Sequence, residues 1–132
     1  MTTAEVDRLS AGKYLSLTTF KRDGTAVATP VWVTRDGEQL YVITKAHAGK
    51  IKRLRHTSRV LLAPCDMRGR VDGPATEGTA RVLDDPAEID AALGRARAKY
   101  GFMYRLNEWF ARLRKRAGAD EIAIEITPGP AA

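Results

Sequence analysis

Two Asp-Gly pairs, Asp23-Gly24 and Asp36-Gly37, each stand between short runs in which apolar and polar residues alternate. Alternation with a period of two marks half-buried strands, and Asp-Gly between two such runs is a strong hairpin signal. The pairs commit the first third of the chain to an antiparallel three-stranded meander made of "KYLSLTTF", "AVATPVWVTR" and "QLYVIT". Pro30 falls in the second run. Having no N–H to give to a ladder, it predicts a strand interrupted there or exposed at an edge.

Around the meander the pattern changes period. Val6 and Leu9 predict a short helix over 3–11 that stops at Gly12, and Ile51 and Leu54 predict another over about 47–56. "SRVLLAP" is a continuous apolar run, expected to be a strand buried on both faces. "CDMRGRVDGP" is loop-like, and "ATEGTARVLD" is a strand in which Gly78 marks a bulge or a close backbone approach. Asp85-Pro86-Ala87-Glu88 combines a capping Asp, Pro in the first turn and a Glu placed to close a capping box. From there Ile89, Leu93, Ala96, Tyr100, Met103, Leu106, Phe110 and Leu113 keep steps of three and four, a core stripe that Gly101 divides into two helices. "EIAIEIT" closes the chain with alternating Ile122, Ile124 and Ile126. The expected fold is mainly β with helices: one domain over 1–132, an antiparallel barrel of five strands, a helical insertion over about 86–117, and a last strand that closes the barrel.

At 132 residues, 44% hydrophobic and 29% charged, the chain has enough apolar surface for one core. No apolar run is long enough to span a membrane, and the N-terminus lacks a signal-peptide pattern. A single cysteine, Cys65, excludes an internal disulfide and suits a reducing, cytoplasmic setting; two separate histidines give no metal site.

The net charge is +6, and it is unevenly placed. Between Glu38 and Asp66 no acidic residue occurs, while Lys45, Lys50, Lys52, Arg53, Arg55 and Arg59 all fall there with both histidines, His47 and His56. Such a run is either a solvated helix face or a cradle for an anion.

The succession from "LTTFKRDGTAVATPVWVTRDG" through "LYVITKAHAGKIKRLRHTSRVLLAP" to "APCDMRGRVDGPATEGTARV" resembles the split-barrel flavin and deazaflavin oxidoreductases. These are the small members of the pyridoxamine phosphate oxidase-like superfamily, and the likeness is to the branch that uses coenzyme F420. It rests on the order of several signals over about residues 10–127: Pro30-Val31-Trp32, Thr44, the basic loop Lys45 to Arg55, and Arg59-Val60. The resemblance implies a six-stranded Greek-key split barrel that forms a homodimer, with cofactor sites in the grooves at the interface. By position, Thr44, Lys45, Ala46 and Lys50 would line the cofactor phosphate, with Lys52, Arg53 or Arg55 near it. Thr29, Pro30, Val31 and Trp32 would run along the ring system, and Arg70, like Arg68, would reach it from the other subunit. Met103, Tyr104 and Trp109 border the substrate pocket if the helices cap the groove.

A Lys or Arg contact to phosphate is charge-assisted and stronger than a neutral hydrogen bond, which gives the run its purpose. The cofactor would be F420 or, since it presents a phosphate to the same loop, FMN. The reaction implied is hydride transfer to a small organic molecule, which explains why no nucleophile, triad or carboxylate pair stands out and why no catalytic residue is named. A cofactor carrier without turnover fits the same residues. Nucleic acid is the disfavoured partner: single-strand binders interleave cations with aromatic platforms, and Lys45 to Arg59 contains no Phe, Tyr or Trp.

Overall fold

Both turns form where the Asp-Gly pairs predict them, with Gly24 at φ +90° and Gly37 at φ +63°, a region that glycine enters without a steric penalty. The structure is a computed structural model that describes residues 3–113 and 121–129, with side chains at 4–106, 109 and 121–129. Its elements are α1 (Thr3–Ser10), β1 (Tyr14–Phe20), β2 (Ala26–Trp32), β3 (Thr34–Asp36), β4 (Gln39–Lys45), α2 (Gly49–His56), β5 (Arg59–Cys65), β6 (Thr76–Val82), α3 (Pro86–Tyr100), α4 (Phe102–Leu113) and β7 (Glu121–Pro128).

The strands form one antiparallel sheet in the order β2-β1-β5-β6-β7-β4-β3. β2 and β3 lie at opposite ends of that order, yet Val33 alone separates them in sequence. A sheet whose two edges are joined by one residue has to curl until the edges meet, and this makes the half-barrel. The sheet therefore has seven strands where six are expected, because the run "AVATPVWVTR" leaves one edge at Trp32 and joins the other at Thr34. Pro30 lies on edge strand β2, opposite Ser16 of β1, the kind of position to which proline is confined within a sheet.

Val33 can use neither ladder for its own peptide groups. Its N–H donates to Tyr100 Oη at 2.8 Å, and its carbonyl accepts from Lys99 Nζ at 2.6 Å. The same ammonium donates to the carbonyls of Ser10 and Gly12, both at 2.9 Å, and Tyr100 Oη donates to the Lys13 carbonyl at 2.6 Å. The end of α3 thus holds the crossover against the start of β1.

Leu15, Leu17, Leu40, Val42, Val60, Leu62, Ile124 and Ile126 fill the barrel. Val6 and Leu9 of α1 join them from the end where β1 begins, and Ile51 and Leu54 of α2 from the end where β1 finishes. Outside the barrel, α3 packs on β3, β4 and β7, with Leu83, Ala92 and Ala123 buried between them. Among the described residues no helix is long and apolar enough to cross a membrane.

Several local expectations change. β5 is not buried on both faces: Val60 and Leu62 point into the core, Ala63 is covered, and Leu61 and Cys65 stay half-exposed. One face of a curled antiparallel sheet meets the core and the other looks outward. The Asp85 cap forms, accepting from the Ala87 amide at 3.3 Å, but Glu88 accepts from Arg81 Nη2 at 2.9 Å instead of closing a capping box. The apolar stripe is buried at Ala96 and Tyr100 and then surfaces, leaving Met103 and Leu106 exposed while Tyr104, off the stripe, is buried, because the chain changes direction at Gly101. Phe110, Leu113 and the end of the insertion at 114–117 lie outside the described side chains and residues.

Gly78 marks close approach and no bulge. It pairs in regular register with Val60 and Pro128, and a Cβ there would stand 3.0 Å from Leu62 Cδ1 and 3.2 Å from the Thr127 carbonyl oxygen. Gly78→Ala is expected to cost about 1–3 kcal/mol through overpacking, read as a lower urea midpoint at unchanged slope. A wild-type midpoint would show that the sheet yields there without strain.

Candidate functional site

The last two residues of β4, Thr44 and Lys45, pair with Ile122 and Glu121 of β7. The chain then turns, with the Ala48 amide donating to the Lys45 carbonyl at 3.0 Å, and enters α2. Burial of Ile51 and Leu54 fixes the rotation of this short helix, so Lys52 and Arg55 face solvent while Lys50 and Arg53 are half-buried. Arg53 reaches across to donate from Nε to Thr19 Oγ1 of β1. Its guanidinium also lies over the start of its own helix, such that a Cβ on Gly49 would fall 2.9 Å from Nη1. Burial, and secondarily the charge of Arg53, holds the Lys50 ammonium below the ordinary lysine pKa.

Lys50 and the Arg53 guanidinium lie at the start of the helix, where free amides and the macrodipole are already positive. Among the described residues none of Lys45, Lys50, Lys52, Arg53 and Arg55 pairs with a carboxylate. Arg8, Arg35, Arg59, Arg81 and Arg95 each do. The unneutralised group is the chemistry an oxyanion requires.

β2 supplies the other lip. Its outer edge has no strand partner, and it touches β4 without a ladder between them, so the barrel is split there. Thr29 is half-buried, Pro30 exposed, and Val31 packs on the core cluster that Ala48 also joins. Trp32 stacks on Tyr100 with ring centroids 4.4 Å apart and planes 9° from parallel, and Tyr104 lies at 6.3 Å. Thr29, Pro30, Val31 and Trp32 thus lie on β2, and Thr44, Lys45, exposed Ala46, Lys50 and Arg53 on β4, the turn after it and α2, with β2 and β4 in contact across the split.

Arg70 is not part of this group within one chain. It follows β5, which runs the length of the barrel, and lines a cleft of about 720 Å³ with Arg8, Tyr14 and Cys65 at the α1 end. Asp66 accepts from the amides of Arg68 and Arg70, both at 2.9 Å, and shapes that turn. The Cys65 thiol is pushed up by burial, then by Asp66. Among the described residues no group of three or more His, Cys, Asp or Glu is placed to hold a metal ion.

Sequence reasoning missed Thr19, Lys99 and Tyr100 as site-shaping residues. Thr19 had a signal: Leu15, Leu17 and Thr19 share the inward phase of β1, and a polar group buried there needs a partner. Lys99 and Tyr100 had none, because the unpaired peptide they serve exists only in the folded crossover.

The lowered Lys50 pKa sets a sign. Between it and the unfolded value of 10.5 the unfolded chain binds more protons, so stability rises with pH through that window, and below it charged Lys50 opposes folding. At neutral pH in a buffer free of multivalent anions, Lys50→Gln should melt no lower than wild type. Added phosphate should raise the melting temperature of wild type more than that of the variant, by on the order of 1–3 °C. Equal shifts would make Lys50 a merely solvated cation.

The family model for pyridoxamine 5'-phosphate oxidase matches residues 1–129. No curated protein sequence matches the chain. Solved structures of similar fold include an F420 reductase, 20% identical, with a TM-score of 0.55 and coverage of 94% of this chain and 92% of that one. Others are a FAD-binding protein from Mesorhizobium loti (16% identical, TM-score 0.64, 98% and 91% covered) and HutZ, the heme storage protein from Vibrio cholerae (12%, 0.68, 98% and 91%). At these identities the likeness is one of fold. A half-barrel sheet joined edge to edge through one residue, matched almost end to end by the family model, belongs to the pyridoxamine 5'-phosphate oxidase family.

Proposed function

We propose that the protein is a homodimeric oxidoreductase that uses reduced coenzyme F420 to reduce an organic substrate. The observation that carries this reading is the pair Lys50 and Arg53, half-buried, adjacent and without a carboxylate partner among the described residues, on the lip of the split. Lys45, Lys50 and Arg53 hold the cofactor phosphate, and solvent-facing Lys52 and Arg55 meet the carboxylates of the glutamyl tail. Thr44 and Ala46 line the turn, and Thr29 to Trp32 run beside the ring system.

When bound, the deazaflavin supplies the hydride from its own ring. The chain's part is to bind the anionic end, align the ring against β2 and shield it. No side chain is assigned as proton donor.

Two copies suit the exposed apolar residues of α4, Phe102, Met103, Leu106 and Trp109, which in a monomer would face water. Arg70, at the far end of its own barrel, meets the site of the other subunit. The half-exposed, unpaired Cys65 suits a cytoplasmic setting.

FMN is the second cofactor this cradle admits, since it offers the same phosphate. Paired fluorescence titrations with oxidised F420 and with FMN, each at two salt concentrations, distinguish them. Saturable preference for F420 supports the proposal, preference for FMN moves the protein to flavin chemistry on the same fold, and binding of neither refutes both. Substrate-dependent oxidation of the reduced cofactor separates an enzyme from a carrier. Lys50→Ala is expected to weaken binding by roughly 1–3 kcal/mol with the fold intact. Light scattering should return a dimer; a monomer would remove the interface site.

A further inference from the structure

Trp32 ends the strand that borders the split, and Val33 follows it as the crossover. Both are held by one side chain. The Tyr100 ring lies flat against the Trp32 indole at 4.4 Å, and its hydroxyl accepts from the Val33 amide at 2.8 Å while donating to the Lys13 carbonyl at 2.6 Å. The Val33 carbonyl accepts from Lys99 Nζ at 2.6 Å and also lies 3.0 Å from the Tyr100 hydroxyl. Tyr100 stacks on the indole, Tyr104 stands tilted to it by 38° at 6.3 Å, and Trp32 stays half-exposed.

We infer that Tyr100 is a positioning residue for the cofactor site, setting through Trp32 and Val33 the plane of the wall against which a bound ring lies. Resting on the functional reading above, this assigns to α3 a share in ligand binding that its packing role does not require. Any helix burying Ala92 and Ala96 would cover β4 and β7 equally well. What selects tyrosine at position 100 is a flat face for the indole together with a group that both accepts from Val33 and donates to Lys13. Phenylalanine has the face and lacks the group. Leucine has neither.

Two consequences distinguish positioning from structural support. The effect of Tyr100 on ligand affinity runs through Trp32, so it should shrink when the indole is gone. It should also be independent of Lys50, which holds the other end of the ligand.

The test is a double-mutant cycle on the full chain, read by fluorescence titration with oxidised F420 or, if the wild type prefers it, FMN. Tyr100→Phe is expected to weaken binding roughly three- to tenfold in the wild-type background and by less than about twofold in Trp32→Ala. Combined with Lys50→Ala its loss should multiply unchanged. If Tyr100→Phe fails to fold, Lys99→Met, which takes the ammonium from the Val33 carbonyl and leaves the stack and the Tyr100 hydroxyl in place, carries the same cycle. Equal losses with and without the indole, or no loss at all, would overturn the inference while the cofactor reading stands. A wild-type protein that binds neither cofactor overturns both.

Discussion

The barrel depends on the backbone of one residue. Val33 carries the chain from one edge of the sheet to the other, and neither edge has a partner for its N–H and C=O. A buried peptide group left unpaired costs about 1–3 kcal/mol, so the crossover is tolerable only where something else pairs it. Lys99 and Tyr100 do so from the last turn of α3. Burial pushes the Tyr100 phenol up to about 12, so the hydroxyl keeps its proton and its donation to Lys13 throughout the neutral range. The place of the helices in the chain follows: α3 has to pass over β4 and β7 before it reaches the crossover. Its path is held by the Asp85 cap at one end, by Arg95 over the Tyr41 ring at 4.2 Å midway, and by the Val33 clasp at the other.

Charge is arranged by the same division of the molecule. Along the outer face of the sheet, cations meet acids: Arg81 bonds Glu88 and Glu125, and Arg59 bonds Glu77. These exposed pairs contribute little each, but they neutralise the surface locally. At α2 nothing acidic is within the segment to do the same, and the fold presses Lys50 and Arg53 together over the helix start. Like charges brought together and partly desolvated are a local cost to folding, and an anion is what relieves it.

Period and turn chemistry carried most of the fold. The two hairpins, both short helices, the alternating Ile124 and Ile126, the Asp85 cap and the break at Gly101 all follow from local patterns. They were legible because each is decided within a few residues. The split of β2 from β3 was not, because Trp32, Val33 and Thr34 alternate like any strand and only closure of the sheet tells which neighbour each part takes. The stripe past Gly101 misled for a related reason: helical spacing says which residues share a face, but not whether anything covers it. At the site, the acid-free run was visible in the sequence, whereas the division between half-buried Lys50 and Arg53 and solvent-facing Lys52 and Arg55 needed the rotation that Ile51 and Leu54 impose.

The two ends of β2 together say what shape of ligand the split suits. Arg53 is anchored on Thr19, whose partner across the ladder is Val27, while Trp32 lies five residues further along the same strand. At about 3.3 Å per residue that is roughly 16–17 Å between the cationic end and the aromatic end. A free oxyanion would use the first and ignore the second, and a compact apolar molecule the reverse. A single strand of nucleic acid needs aromatic faces interleaved with its cations, and here Trp32 stands apart from the basic run. The molecule that engages both ends is elongated, with a flat conjugated ring at one end and phosphate or carboxylate groups at the other. The resemblance to the family is what makes the two ends parts of one site, and the spacing along β2 adds the length that the proposed cofactor has to span.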